Sequence, residues 1–283
     1  MPRLPSPTLR LCHRLPNPSP KTPIQTMSTQ QTQSPSKPAL RRQIKTRLST
    51  LSPPSVSEQS LCAQNLLITH PTYTAARSLS VYLSMPNGEA RTNVLIRHAL
   101  ERGKEVFVPY IYALHPAPAS SSNGDGDGDA GTQRGKKKKD MAMLRLGSVE
   151  EFEGLESGGW GIPCLPSEGL EKRANALGGF GPLSDRKDGD KDEGKTVDVV
   201  VAPGVAFDSS MARLGHGGGF YDRWLARACS NAKEKKPYVV GLCLAEQVVG
   251  NGEIEMGERD RRVDAVVVGD GRVLTVGDGV GPT

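Results

Sequence analysis

Long apolar runs and paired cysteines are both missing from this chain of 283 residues. No apolar run approaches the roughly 18 residues that a membrane-spanning helix needs, so we expect no membrane span. The five cysteines are widely spaced and include no CxxC pair, which indicates neither a zinc knuckle nor a disulfide framework. We expect them to be reduced, small apolar residues of an intracellular protein. The chain also offers no Ser-His-Asp or Cys-His pattern typical of a covalent nucleophile.

Acidic residues are absent from the first 48 positions, which contain nine Lys or Arg. The whole chain has a net charge of +5, so the part after residue 48 is left with −4 once these nine cations are subtracted. A general nucleic-acid surface needs a basic body. We therefore expect no nucleic-acid partner.

Low-complexity segments divide the chain. Residues 1–36 are rich in Pro, Ser, Thr and Gln, and we expect them to be a disordered extension. A basic, acid-free N-terminus is also compatible with a mitochondrial transit peptide, although its many prolines favour a cytoplasmic protein. We predict one domain over 37–276, with insertions at about 115–140 and 184–195, and a disordered tail at 277–283. We expect a monomer.

The hydrophobic pattern predicts an α/β fold. Leu40, Ile44, Leu48 and Leu51 mark one face of a helix that begins at Lys37. Pro53 and Pro54 end it, and a capping box of Ser55 and Glu58 is predicted to begin the next helix, which reaches about Thr69. A strand around 79–83, a helix around 95–100 and a strand at 106–109 then form a β-α-β unit with parallel strands. Further strands are predicted at 141–146, 197–202, 239–244 and 263–268.

The most informative stretch is 197–224, VDVVVAPGVAFDSSMARLGHGGGFYDRW. A short buried strand ends at Pro203-Gly204, and four glycines fall within 215–219 ahead of a helical pattern. Backbone N–H groups can converge on an anion where no Cβ intervenes, and a helix N-terminus adds donors and a positive dipole end. Arg213 adds a positive charge, and Asp222 adds a carboxylate suited to a phosphate-bound magnesium ion. The stretch therefore indicates a phosphate site, although a mobile glycine-rich loop is the alternative.

The string PGVAFD, followed four residues later by RLGHGGGFYD, resembles the signature of the 5-formyltetrahydrofolate cyclo-ligase family. Four further segments resemble that family in the same order. KPALR matches its KxxLR helix start, and SMPNGEART matches its SMxxExxT loop with one extra residue. GWGIPCLP resembles its Trp-x-Ile-x-x-Pro segment, and VDAV resembles its VDxV motif.

This resemblance implies a single α/β domain with a mixed, mostly parallel sheet and flanking helices, of the cyclo-ligase and CoA-transferase-like type. It implies ATP-dependent cyclisation of 5-formyltetrahydrofolate, possibly polyglutamylated, to 5,10-methenyltetrahydrofolate, with Mg²⁺ as cofactor and release of ADP and phosphate. The expected route transfers the γ-phosphoryl group to the formyl oxygen, after which N10 attacks the carbon of the imidate phosphate.

The resemblance also implies residue roles. The catalytic residues are expected to be Arg213 and Tyr221, and the metal ligands Asp222 and Asp264. The residues expected at ATP are Lys37, Arg41, Arg213, Leu214, Gly215, His216, Gly217, Gly218, Gly219, Phe220 and Tyr221. The residues expected at the folate are Leu83, Glu89, Trp160, His216, Gly219 and Phe220. His216 and Gly218 stand where many relatives have Arg or Lys, which leaves Arg213, Lys37 and Arg41 as the principal phosphate cations.

Three other functions stay open from the sequence. The chain could be an ATP-using enzyme of the same fold with another substrate. It could be a non-catalytic interaction or nucleic-acid-binding descendant that uses the basic N-terminus and the lysine run at 136–139, although that run beside an Asp-Gly repeat favours a solvated insertion. It could also store folate without turning it over.

Overall fold

The computed structural model describes residues 35–114, 138–184, 196–232 and 235–276. The N-terminal extension, most of both insertions and the C-terminal tail predicted from the sequence lie outside the described residues. Lys139 and Asp140, which the sequence assigned to the first insertion, already belong to a strand, and Asp140 is buried. In the described part of the chain, no helix is both long enough and apolar enough to span a membrane.

Two helices open the domain. Helix α1 (Lys37–Ser49) buries Leu40, Ile44 and Leu48, as their spacing of four residues predicts. Helix α2 (Pro53–Thr69) begins earlier than predicted, because Ser52 is its N-cap and accepts a hydrogen bond from the N–H of Ser55 at 3.3 Å. The predicted capping box of Ser55 and Glu58 is therefore wrong. The two prolines do not separate the helices but form the first turn of α2, where a missing N–H costs nothing.

The remaining elements alternate strands and helices. A short helix α3 (Pro71–Ala75) precedes β1 (Ser78–Val81), α4 (Asn93–Glu101), β2 (Glu105–Ala113), β3 (Lys139–Leu146) and α5 (Val149–Glu153). The second half contains β4 (Val199–Ala202), β5 (Ala206–Asp208), β6 (Arg213–Leu214), α6 (Phe220–Asn231), β7 (Tyr238–Cys243), β8 (Val248–Val249), β9 (Ala265–Val268) and β10 (Val273–Thr275).

Seven of these strands form one sheet in the order β10-β9-β7-β4-β1-β2-β3. The five central strands are parallel, and the edge strands β3 and β10 are antiparallel to their neighbours. The predicted parallel β-α-β unit is present as β1-α4-β2. Strands β6, β5 and β8 form a separate small sheet. The predicted α/β class with a mixed, mostly parallel sheet is confirmed.

Both faces of the main sheet are covered. Alternation along β4 places Val199 and Val201 in one buried cluster, with residues of α1, α2 and α4, whereas Val200 packs in a second cluster with Trp224 of α6. Because both faces are covered, the loops at the strand ends are where a ligand can reach the sheet.

Candidate functional site

The loops at the carboxyl ends of the parallel strands surround a cavity of about 1230 Å³. Its walls come from three regions: the strand ends of β1 and β2 with the start of β3, the segment 154–168, and the loop that leads into α6. Open α/β sheets bind ligands at this edge, because the loops that follow the parallel strands all lie at their carboxyl ends. The sequence-predicted residues that line the cavity are Leu83, Glu89, Trp160, Arg213, Gly215, His216, Gly218, Gly219, Phe220, Tyr221 and Asp222.

The glycine-rich loop 215–219 follows β6 and ends at the first residue of α6. Gly217 and Gly219 have φ angles of +104° and +64°, a region that a side chain at these positions would make strained. From α1, Nε of Arg41 donates a hydrogen bond to the carbonyl oxygen of Gly215 at 2.8 Å. The loop is thus tied to α1 at one end and leads into a helix N-terminus at the other.

Arg213 is the buried cation of the cavity, with only 2% of its side chain exposed. Its Nη2 donates to Oδ1 of Asp222 at 2.6 Å, and its Nη1 donates to the carbonyl oxygen of Pro203 at 3.2 Å. The guanidinium also lies 5.8 Å from the centre of the Tyr221 ring. A buried guanidinium cannot lose its proton, so it needs such partners, and it presents a permanent positive charge to any anion in the cavity.

Glu89 belongs to the loop between β1 and α4 and is buried, with 5% of the residue exposed. Burial raises its pKa to about 7, although the N–H of Met85, 2.6 Å from Oε1, favours the charged form. Nε2 of His216 is 4.0 Å from the other oxygen, Oε2. Burial, followed by the charges of Lys45, Arg41 and Arg213, lowers the His216 pKa. Both shifts favour the neutral forms, so the pair has little opposite charge at neutral pH and contributes little electrostatic attraction.

The hydroxyl of Tyr221 is buried and has no hydrogen-bond partner among the described residues. Burial, reinforced by the nearby Glu89, raises the Tyr221 pKa far above its ordinary value, so this group is a neutral donor. An unpaired buried hydroxyl costs free energy, which indicates that a ligand accepts its hydrogen bond.

Trp160 lines the same cavity from the segment 159–166. Its side chain is 81% exposed, and its φ angle of 63° is rare for a residue other than glycine. Trp160 therefore offers a flat apolar surface to the cavity.

Four of the predicted ATP residues do not line the cavity. Gly217 lies beside the guanidinium of Arg41, and neither residue lines the cavity. Leu214 is buried, and its carbonyl oxygen accepts a hydrogen bond from the N–H of Val205 at 2.7 Å. Lys37 forms an ion pair with Asp260, whose carboxylate also accepts a bond from the N–H of Gly257 at 2.7 Å.

The two predicted metal ligands are not brought together. Asp222 lines the cavity, and both its bonds, from Arg213 and from the N–H of Arg261 at 3.2 Å, end on Oδ1. Asp264 instead lies at the amino end of β9, where its Oδ2 accepts the N–H of Val239 at 2.7 Å. Within the described ranges no cluster of three or more His, Cys, Asp or Glu could hold a metal ion. Asp222 would be the protein ligand of a magnesium ion in this cavity, since neither of its bonds uses Oδ2.

The sequence did not predict the contact between the glycine-rich loop and a buried ion pair behind it. Arg223 donates to the carbonyl oxygen of Gly218 in the glycine-rich loop, and it also contacts the buried Asp140 at the start of β3. The arginine pair at positions 223 and 227, one helical turn apart, was a visible signal. Nothing in the sequence indicated that a carboxylate more than eighty residues earlier would face it.

Residues 33–269 match the model of the 5-formyltetrahydrofolate cyclo-ligase family. The 5-formyltetrahydrofolate cyclo-ligase of Mus musculus is 30% identical over 235 residues, covering 83% of this chain and 94% of the relative. The probable 5-formyltetrahydrofolate cyclo-ligase of Schizosaccharomyces pombe is 28% identical over 232 residues, covering 81% of this chain and 92% of the relative.

Among solved structures, the NMR structure of Aquifex aeolicus 5,10-methenyltetrahydrofolate synthetase resembles this fold with a TM-score of 0.56 at 23% identity, covering 87% of this chain and 96% of that one. This likeness supports the fold, and the family match over most of the chain supplies the identity. The chain belongs to the 5-formyltetrahydrofolate cyclo-ligase family.

Proposed function

We propose that this protein catalyses the ATP-dependent cyclisation of 5-formyltetrahydrofolate to 5,10-methenyltetrahydrofolate, with release of ADP and phosphate. One observation above all supports this function: the glycine-rich loop and Arg213 share one cavity with Glu89 and Trp160. The first pair suits a phosphate group, and the second suits a flat ring system with hydrogen-bonding edges. A reaction between ATP and a folate needs both in reach of each other.

The cavity is large enough for two reactants. Its volume of about 1230 Å³ exceeds the roughly 300–1000 Å³ of most small-molecule pockets. Its lining includes Met141, Ile162, Leu165 and Trp160, which offer apolar surface to a pterin and its aromatic linker. The loop side of the cavity adds the charged groups of Arg213 and Asp222.

The chemistry accounts for the absence of a protein nucleophile. A formyl oxygen is a poor leaving group, so N10 cannot expel it unaided. Transfer of the γ-phosphoryl group to that oxygen forms a P–O bond, breaks the bond to ADP and gives an imidate phosphate. N10 then attacks the activated carbon, and phosphate leaves with the former formyl oxygen. N10 loses a proton in this step, and Glu89, whose pKa is about 7, is able to accept it.

The protein contributes alignment and electrostatics. We assign to Arg213 the role of stabilising the negative charge that develops on the transferred phosphoryl group, because its guanidinium is fixed by Asp222 and Pro203. The buried Tyr221 hydroxyl donates to the same group or to the formyl oxygen. The N–H groups of 215–219 hold the ATP phosphates, with Arg41 fixing the loop.

We further propose that the reaction uses Mg²⁺, with Asp222 as the protein ligand. A magnesium ion would neutralise phosphate charge in this cavity. Asp222 is suited to hold it, since Arg213 fixes the carboxylate through Oδ1. Asp264 is bonded to the N–H of Val239 at the other end of the sheet and is not needed for this arrangement. A monomer, a cytoplasmic location and acceptance of polyglutamylated substrate remain predictions.

A spectroscopic assay tests the function. The purified chain is mixed with 5-formyltetrahydrofolate, and the near-ultraviolet absorbance of the methenyl product is followed while ATP and then Mg²⁺ are added. We expect no product before ATP is present, and one ADP for each methenyl group formed. ATP hydrolysis or binding without methenyl formation would indicate another substrate on the same fold. Tight folate binding without ADP release would indicate a storage protein.

A further inference from the structure

Asp140, the second residue of β3, is a carboxylate with only 1% of its surface exposed. Two arginines of α6, one turn apart, contact it. Nε of Arg223 is 3.4 Å from Oδ1, and Nη1 of Arg227 is 3.1 Å from Oδ2. A buried carboxylate is costly unless charged donors satisfy it, so this contact fixes the position of α6 against the start of β3.

The two arginines use their remaining N–H groups differently. Nη1 of Arg223 donates to the carbonyl oxygen of Gly218 at 2.9 Å, and its guanidinium lies 5.0 Å from the centre of the Phe220 ring. Nη2 of Arg227 donates to the carbonyl oxygen of Met141 at 2.7 Å. Arg223 therefore connects Asp140 to the glycine-rich loop, whereas Arg227 connects it back to β3.

The bond to Gly218 determines which way the loop presents its donors. In a trans peptide the C=O of one residue and the N–H of the next point in opposite directions. Holding the Gly218 carbonyl toward Arg223 therefore turns the N–H of Gly219 away from it, and Arg41 acts in the same way on the peptide between Gly215 and His216. A loop with so few side chains loses much backbone entropy on ordering, so these two anchors reduce the number of conformations open to it.

We propose that Arg223 is a positioning residue for nucleotide binding, and that the buried carboxylate of Asp140 holds it in place. The inference rests on the proposed use of the glycine-rich loop for ATP phosphates. It adds that the orientation of the loop depends on a carboxylate of β3, the strand that also supplies Met141 to the folate side of the cavity. The two halves of the cavity are thereby fixed to each other.

Arg223→Lys tests the role most directly, because an ammonium group keeps the charge but cannot bond Asp140 and Gly218 while covering the Phe220 ring. The measurements are the Kd for ATP by titration calorimetry with Mg²⁺, the KM for 5-formyltetrahydrofolate, and the melting temperature. We expect the Kd for ATP to rise about tenfold, with the folate KM within about twofold of the unaltered value. Asp140→Asn should raise the ATP Kd similarly, and the double variant should add little more.

Arg227→Lys is the matched control. It alters the same helix and the same carboxylate without touching the loop, so it should lower the melting temperature and leave the ATP Kd unchanged. If Arg223→Lys instead lowered the melting temperature as Arg227→Lys does and left the ATP Kd unchanged, Arg223 would have a structural role alone and the inference would fail. ATP binding by the unaltered chain without cyclisation would refute the proposed function and not this inference. No ATP binding by the unaltered chain would overturn both.

Discussion

Replacing Glu89 by glutamine should make the protein more stable at alkaline pH while abolishing most of its activity. Glu89 is only 5% exposed, and burial raises the pKa of its carboxylate to about 7 from an ordinary value of 4.5. Glutamine keeps the volume of the side chain and an amide oxygen for the N–H of Met85, but it removes the charge. The substitution therefore isolates the cost of ionising a buried acid.

The sign and size of the effect follow from proton linkage. Between pH 4.5 and 7 the unfolded chain has lost the Glu89 proton and the folded protein has kept it, so the free energy of unfolding falls as the pH rises through this window. Each unit of pKa difference corresponds to about 1.4 kcal/mol. The penalty on the unaltered protein should grow by about 2–3 kcal/mol from pH 5 to pH 8. This pH-dependent loss of stability is absent from Glu89→Gln, because glutamine does not ionise.

Urea unfolding at pH 5, 6, 7 and 8 measures this difference directly, with Glu101→Gln as the control for removal of an exposed carboxylate. The stability of Glu89→Gln minus that of the unaltered protein should rise across the series, and that of Glu101→Gln should not. A difference that stays constant from pH 5 to pH 8 would refute the assignment of a raised pKa to Glu89. Turnover should fall by at least about a hundredfold, because a glutamine cannot accept the N10 proton.

Other substitutions test the separate parts of the cavity. Asp222→Ala should lower the rate at limiting Mg²⁺ by one to two decades, about 1.4 kcal/mol each, whereas Asp264→Ala should lower the melting temperature and leave the Mg²⁺ dependence unchanged. Trp160→Ala should raise the KM for the folate about tenfold without changing the melting temperature, since the indole is 81% exposed. Gly217→Ala and Gly103→Ala, both at positive φ, should each lose about 1–2 kcal/mol of stability, but Gly217→Ala alone should weaken ATP binding.

Much of the fold could be predicted from the sequence, because local patterns decide it. The run of apolar residues in 197–202 and the helical spacing of Leu40, Ile44 and Leu48 predict a strand and a helix from local pattern alone. The wrong helix start at Ser55 shows the limit of such patterns. A proline pair is compatible with both the end of one helix and the first turn of the next. Here the prolines begin α2, because the side chain of Ser52 caps that helix by accepting the N–H of Ser55.

The candidate site divides in the same way. The glycine-rich loop, Arg213, Tyr221 and Asp222 are close in sequence, so their spacing already predicts that they share a site, and Glu89 and Trp160 join them in the same cavity. Only the tertiary structure could reveal that Asp140 faces Arg223 and that Asp264 lies away from Asp222. Spacing along a chain fixes neighbours within a few residues, but contacts across a sheet depend on strand order and register, which the burial of the whole core selects.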